Sequence, residues 1–163
     1  MWFPHVTVAT VVFQNNQFLM VHERPEGPLV INQPAGHLED DETLIEAAIR
    51  ETKEETGWEV DITHYLGVRQ FNAANGKTYI RHSFAAIPLN FDTSCHIDDD
   101  IIEATWMTYE EILAAEKQLR SPLVLHDIKR FNDDKLMPLD FLHNVTDEAQ
   151  KTKNKKNKKN KSK

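Results

Sequence analysis

One helix-forming segment, residues 43–56, constrains this chain more than any other, because it gathers three carboxylates at its end. Spacings of three and four residues bring Glu51, Glu54 and Glu55 to one side of a helix. Like charges at these spacings repel each other, and the last turn of a helix favours cations rather than anions. A hard divalent cation reverses both penalties, because Mg²⁺ prefers carboxylate oxygens.

The sequence also predicts where this helix begins and ends. Asp40 or Asp41 is placed to cap its start, and Gly57 suits the left-handed position just beyond its end. Successive rotations of 100° predict a core face made of Ile45, Ala48, Ile49, Thr52 and Thr56.

A row of glutamates on a helix is usually a solvated acidic face, but the spacing of the surrounding residues favours a functional site. They fit the pattern G-x5-E-x7-R-E-U-x-E-E-x-G-U, where U is apolar, at Gly36, Glu42, Arg50, Glu51, Glu54, Glu55 and Gly57. Through this box the chain resembles the Nudix hydrolase superfamily. Thr52 stands at an apolar position, where its methyl can still pack and its hydroxyl can bond back to a carbonyl one turn earlier.

The resemblance implies a Mg²⁺ site and hydrolysis of a diphosphate linkage. Glu51 and Glu55 are the preferred direct ligands, Glu54 is a second-metal ligand or the base, and the carbonyl of Gly36 is a further ligand. Glu103, in an acidic stretch ahead of a Trp-containing strand, is a candidate ligand or base, although loop carboxylates are often only solvated. Catalysis is assigned to Glu54 and Glu51, and Glu42 and Arg50 are expected to pair and hold the box.

Two further segments narrow the resemblance to bacterial Nudix phosphatases that act on nucleoside di- and triphosphates and thiamine-type pyrophosphates. They are Asn32–Glu39, which contains Gln33 and His37 as candidate substrate contacts, and Arg120–Val124. Ile31 stands where a Trp is common, so no ring-stacking role is carried over to that position. Arg69 and Arg81, on two predicted strands, could each donate to a phosphate or form a cross-strand charge pair.

Alternating patterns and turn residues predict the remaining elements. They are strands at His5–Phe13, Gln17–Val21, Leu29–Gln33, Glu59–Phe71, Thr78–Leu89 and Ala104–Met107, hairpin turns at Asn15-Asn16 and Asn75-Gly76, and helices opening at Thr108 and at Ser121-Pro122. Together they indicate an α/β protein. The resemblance implies the Nudix fold, a mixed sheet sandwiched between helices.

The charge of the chain is uneven. Residues 151–163 hold eight of the 19 basic residues and no acidic one, so the body has 11 basic against 26 acidic residues, a net charge of −15. We therefore expect one Nudix domain, residues 1–147, and a disordered Lys/Asn-rich tail, residues 148–163. The tail is a solubilising end or, less often for such tails, a nucleic-acid arm.

The sequence offers no membrane span, leader or paired cysteine, so a cytoplasmic, monomeric enzyme with a small phosphorylated substrate is expected. Two alternatives stay open. The first is an RNA 5′-end pyrophosphohydrolase that uses the basic tail. The second is a nucleotide-binding module without catalysis, which the intact carboxylates argue against. Prenyl diphosphate isomerisation is disfavoured, because the Cys/Glu pair it needs has no counterpart.

Overall fold

The computed structural model describes residues 1–146, so the predicted domain boundary and the Lys/Asn tail lie outside the described residues. Ten α-helices and strands follow one another: β1 (His5–Gln14), β2 (Gln17–Glu23), β3 (Val30–Asn32), β4 (Ala35–His37), α1 (Leu44–Thr56), β5 (Trp58–Asn72), β6 (Thr78–Phe91), β7 (Ile101–Met107), α2 (Tyr109–Ala114) and α3 (Leu123–Asn132). Within residues 1–146, no helix has the length and hydropathy that crossing a bilayer requires.

The strands form one mixed sheet with β1 near its centre. β1 runs parallel to β6 and antiparallel to β2 and β4, while β5 completes a long antiparallel hairpin with β6. β2 is flanked by β3 and β7. Helix α1 covers one face, where Ala48 packs with Val8. Helices α2 and α3 cover the other face, where Ile112 and Ile128 pack in a second core. The predicted α/β sandwich is confirmed.

Both predicted hairpins are present, with different turns. Asn15 and Asn16 have positive φ of 50° and 62° and form the predicted two-residue turn. The second hairpin instead turns through residues 73–77, where the amide of Ala73 donates to the carbonyl of Lys77 at 2.9 Å. Strand β2 also runs two residues beyond its predicted end, because His22 and Glu23 pair with both β3 and β7.

The cap predicted for α1 is wrong. Thr43, rather than Asp40 or Asp41, is the N-cap, and its side chain and that of Glu46 form a reciprocal capping box. Asp41 lies in the turn ahead of the helix with a φ of 66°.

The predicted core face of α1 is partly wrong, because the buried face is rotated toward the glutamates. Ile49 is exposed, whereas Ala47 and Glu55 are buried. Thr52 is buried as predicted, and its hydroxyl bonds back to the carbonyl of Ala48 at 2.7 Å. Small side chains on this face allow α1 to approach β1 closely, so that the end of the helix reaches the site described next.

Candidate active site

A cleft of about 540 Å³ opens where β4, the end of α1 and β6 meet the segments that follow β6 and α2. Side chains of both charges line it. The carboxylates are Glu23, Glu39, Glu51, Glu55, Asp98 and Asp100, and the arginines are Arg81 and Arg120.

Three carboxylates form a tight group beside this cleft. One oxygen each from Glu51, Glu54 and Asp98 lie within 4.8 Å of one another. The loop that carries Asp98 is attached to α1, because the amide of Asp98 donates to the carbonyl of Glu54 at 3.1 Å. Burial and, second, the neighbouring carboxylates raise the pKa values of Glu51 and Asp98, although Arg50 partly offsets this. Hard oxygen donors that repel one another fit a divalent cation such as Mg²⁺.

The sequence predicted Glu103, not Asp98, as the carboxylate supplied from outside α1. Glu103 is exposed on β7 opposite His22, and it lines a different cavity of about 470 Å³. It takes no part in the carboxylate group. Asp98 lies in the loop ahead of β7, and only the hydrogen bond of that loop to α1 brings its side chain to the group. Loop closure of this kind leaves no periodic pattern in the sequence.

Glu55 occupies a different environment from Glu51 and Glu54. Its side chain is buried, and one oxygen accepts from the amide of Ala35 at 2.9 Å. Burial, followed by the charges of Glu23, Glu51 and Asp98, raises the pKa of Glu55 to about 9. Glu55 therefore keeps its proton at neutral pH until a cation compensates its charge.

The raised pKa of Glu55 predicts a pH-dependent stability in the presence of chelator. The folded chain holds this proton between the ordinary value of 4.5 and about 9, whereas the unfolded chain releases it. The stabilisation is therefore complete below pH ~4.5 and is lost toward pH 9, by at most about 1.4 kcal/mol per pH unit. Urea unfolding of wild type and Glu55→Gln from pH 5 to 9 checks this. The variant should gain stability relative to wild type as the pH rises. If the free energy of unfolding changes with pH in the same way for both proteins, the pKa of Glu55 is not raised.

Arg50 connects the carboxylate group to the start of the box. It donates to both oxygens of Glu42, at 2.9 and 2.7 Å, which is the predicted pair. It also donates to Glu51 at 2.8 Å and to Glu54 at 2.9 Å. The hydrogen bonds to Glu42 are the main reason that the pKa of Arg50 is raised. Arg50 thus holds two carboxylates of the group in place by charge-assisted hydrogen bonds.

Gly36 lies directly against the carboxyl group of Glu51. A Cβ atom built on Gly36 would overlap the carboxyl group of Glu51. The absence of a side chain therefore lets α1 present Glu51 directly against the backbone of β4.

Gly36→Ala is expected to displace the Glu51 carboxyl group and to lower kcat at least about tenfold, since a small geometric error in a catalytic group is costly. Steady-state kinetics of Gly36→Ala, Glu51→Gln and the double variant measure this. If Gly36 acts through Glu51, the double variant is no worse than the poorer single variant. Additive losses would show that the two residues act separately.

Arg81 is buried in the floor of the cleft beside a buried acid. It is 6% exposed, and its Nε and Nη2 atoms make no hydrogen bond to the residues that the structure describes. Asp127, on α3 and fully buried, lies 3.7 Å from Nε of Arg81. Burial lowers the pKa of Arg81, and the charge of Asp127 partly offsets this. A buried guanidinium with unused donors is suited to receive an anion from the cleft.

Two of the predicted substrate contacts, Gln33 and Arg69, lie outside the cleft. Gln33 is 1% exposed and donates to Asp127 at 3.0 Å, so it is a core residue and lies behind the cleft. Arg69 pairs with Arg81 across the hairpin, but it donates to His126 at 3.0 Å and lies 3.5 Å from Asp127. Neither residue lines the cleft.

The predicted contact His37 does line the cleft, exposed and 3.1 Å from a ring nitrogen of His5. Burial and the nearby His5 lower the pKa of His37, which favours the neutral ring.

Sequence reasoning missed Asp127. One signal was available, because Asp127 falls on the stripe of α3 that also carries Val124 and Ile128, three residues before it and one after it. A carboxylate on the buried stripe of a helix needs a partner inside the protein.

Comparisons with known proteins agree with this geometry. The family model described as the NUDIX domain matches residues 3–128. Phosphatase NudJ of Escherichia coli (strain K12) is 41% identical over 145 residues, which cover 87% of this chain and 92% of that protein. The Phosphatase NudJ of Shigella flexneri matches to the same extent.

Solved structures show the same similarity. A NUDIX hydrolase from Nitrosomonas europaea superposes with a TM-score of 0.86 at 39% identity, covering 88% of this chain and 98% of its own. A bifunctional NMN adenylyltransferase/ADP ribose pyrophosphatase from Francisella tularensis, complexed with AMP and Mn ion, superposes with a TM-score of 0.63 at 22% identity. That match covers 81% of this chain and 42% of the other, and it shows a likeness of fold only.

Proposed function

Because this chain belongs to the Nudix family and is a pyrophosphohydrolase, we propose that it uses Mg²⁺ to hydrolyse nucleoside di- and triphosphates and thiamine-type pyrophosphates. The resemblance drawn from the box and from the two narrower segments is confirmed, and the alternative of a module without catalysis is set aside. Nudix hydrolases generally use a divalent metal, and the choice of Mg²⁺ rests on the all-oxygen donor group.

The observation that carries the proposal is the position of the carboxylate group beside a cleft that also contains Arg81. We assign Glu51, Glu54 and Asp98 to hold the cation. Two further groups stand next to them in the cleft, the carbonyl of Gly36 and the carboxyl group of Glu55. A bound Mg²⁺ would supply charge neutralisation at phosphate oxygens and increase the acidity of a nearby water.

The residues of the chain contribute binding, orientation and proton transfer. Arg81 has free donors for a phosphate oxygen, and Arg120, half exposed and 2.9 Å from Glu23, stands at the same cleft. Among Glu51, Glu54 and Glu55, the side chain of Glu54 is the most exposed, at 44%, so we assign it to accept the proton of the attacking water. Arg50 fixes the orientation of Glu54 and Glu51 through its hydrogen bonds.

The test is release of phosphate and pyrophosphate from ATP, GTP, ADP, thiamine pyrophosphate and 5′-triphosphate RNA, each assayed with Mg²⁺ and with chelator. We expect Mg²⁺-dependent release from several of these small substrates. Rates that chelator leaves unchanged would contradict the metal assignment. Activity restricted to 5′-triphosphate RNA would instead favour the alternative that uses residues 151–163, and deletion of those residues would then have to weaken RNA binding in a salt-dependent way.

A further inference from the structure

A row of aromatic rings lies next to Arg81 on the same face of the sheet. Tyr79 precedes Arg81 by two residues on β6, so both side chains point to one face, roughly 6.6 Å apart along the strand. The pairing register places His5 of β1 on one side of Tyr79 and Phe71 of β5 on the other. The ring centroids of His5 and Tyr79 are 5.1 Å apart, and those of Phe71 and Tyr79 are 6.4 Å apart. We call these three residues the ring shelf.

The ring shelf extends the cleft that holds the carboxylates. Phe71 and Tyr79 line that cleft together with Arg81 and Glu51, and the rings of the shelf are only half-buried. Along β6, Arg81 lies between Tyr79 and Ser83. Ser83 donates to the buried Asp127, so the ring shelf lies on the side of Arg81 that faces away from Asp127. A ligand whose phosphates reach Arg81 and the carboxylates can place its remaining part beside these rings.

Ile31 occupies the position at which a Trp is common, so that position supplies no ring. Ile31 is 3% exposed and packs in the core under α2 and α3, and it does not line the cleft. A flat group bound in the cleft must therefore find its stacking partner elsewhere among the lining residues.

We propose that the ring shelf of His5, Phe71 and Tyr79 stacks the flat ring of the substrate, so that the enzyme selects diphosphates of ring-bearing alcohols over ring-free ones. This inference rests on the proposed function, since it divides the cleft into a phosphate end and a ring end. Stacking on aromatic side chains tolerates different rings, because every base presents a π-face. The shelf therefore recognises the presence of a ring rather than its identity, which accommodates both nucleotides and thiamine-type substrates.

The test measures binding of three monophosphates, which carry no diphosphate linkage and so cannot be consumed by the proposed reaction. AMP and thiamine monophosphate carry a ring, and methyl phosphate is the matched ring-free probe. Calorimetry with the full chain and Mg²⁺ gives each Kd for wild type, Tyr79→Leu and Tyr79→Phe. Ring-current shifts of the probe protons in NMR spectra report stacking directly. Circular dichroism and thermal unfolding confirm that each variant is folded.

We expect wild type and Tyr79→Phe to bind AMP and thiamine monophosphate roughly 5- to 100-fold more tightly than methyl phosphate. Tyr79→Leu should lose most of this preference while its Kd for methyl phosphate is unchanged. An equal change for all three probes, or no preference in wild type, would overturn the inference. Mg²⁺-dependent hydrolysis in the substrate panel together with equal binding of the three probes would reject the shelf alone, whereas tighter binding of the ring-bearing probes without hydrolysis in the panel would reject the proposed function alone.

Should Tyr79→Leu unfold, Phe71→Leu replaces it in the same comparison. Phe71 lies at the edge of the shelf and contacts Tyr79 only from one side, so a smaller change in the same direction is expected. Unchanged preference in a folded Phe71→Leu variant would then overturn the proposal.

Discussion

Replacing Glu54 with Gln is expected to lower kcat by roughly 10²- to 10⁴-fold, the range over which a positioned general base contributes. The amide has the same shape and retains an oxygen for the hydrogen bond from Arg50, which is 2.9 Å long in the wild type. It loses the negative charge that faces Glu51 and Asp98. The chain should therefore fold normally, and removal of one like charge should leave its stability in chelator equal to or slightly above that of wild type.

Two readouts separate this effect from general damage. Steady-state kinetics with a saturating substrate measure kcat, and thermal unfolding with and without Mg²⁺ measures how strongly the cation stabilises the fold. Glu110→Gln is the matched control, because Glu110 is an exposed acid on α2 away from the cleft and the variant loses the same charge. Wild-type turnover in a folded Glu54→Gln protein would reject the assignment.

Glu103→Gln decides between the two carboxylates proposed from outside α1. The structure predicts near wild-type activity for this variant, whereas Asp98→Asn should lose the Mg²⁺-dependent shift in Tm together with activity. The opposite pattern would restore the prediction made from sequence.

Asp127→Asn is expected to destabilise the fold by about 3–5 kcal/mol, because it removes the carboxylate that forms an ion pair with both the buried Arg81 and the half-buried Arg69. Arg69 and Arg81 lie 3.5 and 3.7 Å from the oxygens of Asp127. An Asn side chain can still accept from Ser83, now at 2.6 Å, and from Gln33, but it cannot compensate a positive charge. For a chain of this length the loss corresponds to a fall in Tm of roughly 6–20 °C.

Urea unfolding in chelator measures this change without any contribution from metal binding. The matched control is Asp133→Asn, an exposed acid just after the end of the same helix, whose substitution should cost no more than about 0.5 kcal/mol. Should Asp127→Asn fail to fold, Ser83→Ala tests the same network more gently, at a cost of about 1 kcal/mol. Equal stability of the Asp127→Asn and Asp133→Asn variants would show that a group other than Asp127 compensates the charges of Arg69 and Arg81.

Local chemistry explains which features could be predicted from the sequence. Hairpin turns, the end of α1 at Gly57 and the Glu42–Arg50 pair depend on residues close in the chain, so their spacing carries the information. The α1 cap was misassigned by a few residues, because Asp41 and Thr43 are both suitable caps and the reciprocal bond of Glu46 decided between them. The interior of the site depends on contacts between distant segments. Neither the approach of Asp98 to α1 nor the burial of Gln33 follows from a periodic pattern.

The place of Asp127 in the chain has a consequence for vectorial folding during synthesis. The hairpin of β5 and β6, with Arg69 and Arg81, leaves the ribosome before α3, which supplies Asp127, the acid that forms an ion pair with both of them. A nascent chain that ends near residue 120 therefore lacks the ion pairs of Asp127 with both arginines, and it should stay sensitive to protease. Because domains fold as units, we expect protection to appear in a single step once α3 has emerged, with the carboxylates of α1 and the two arginines ordered together.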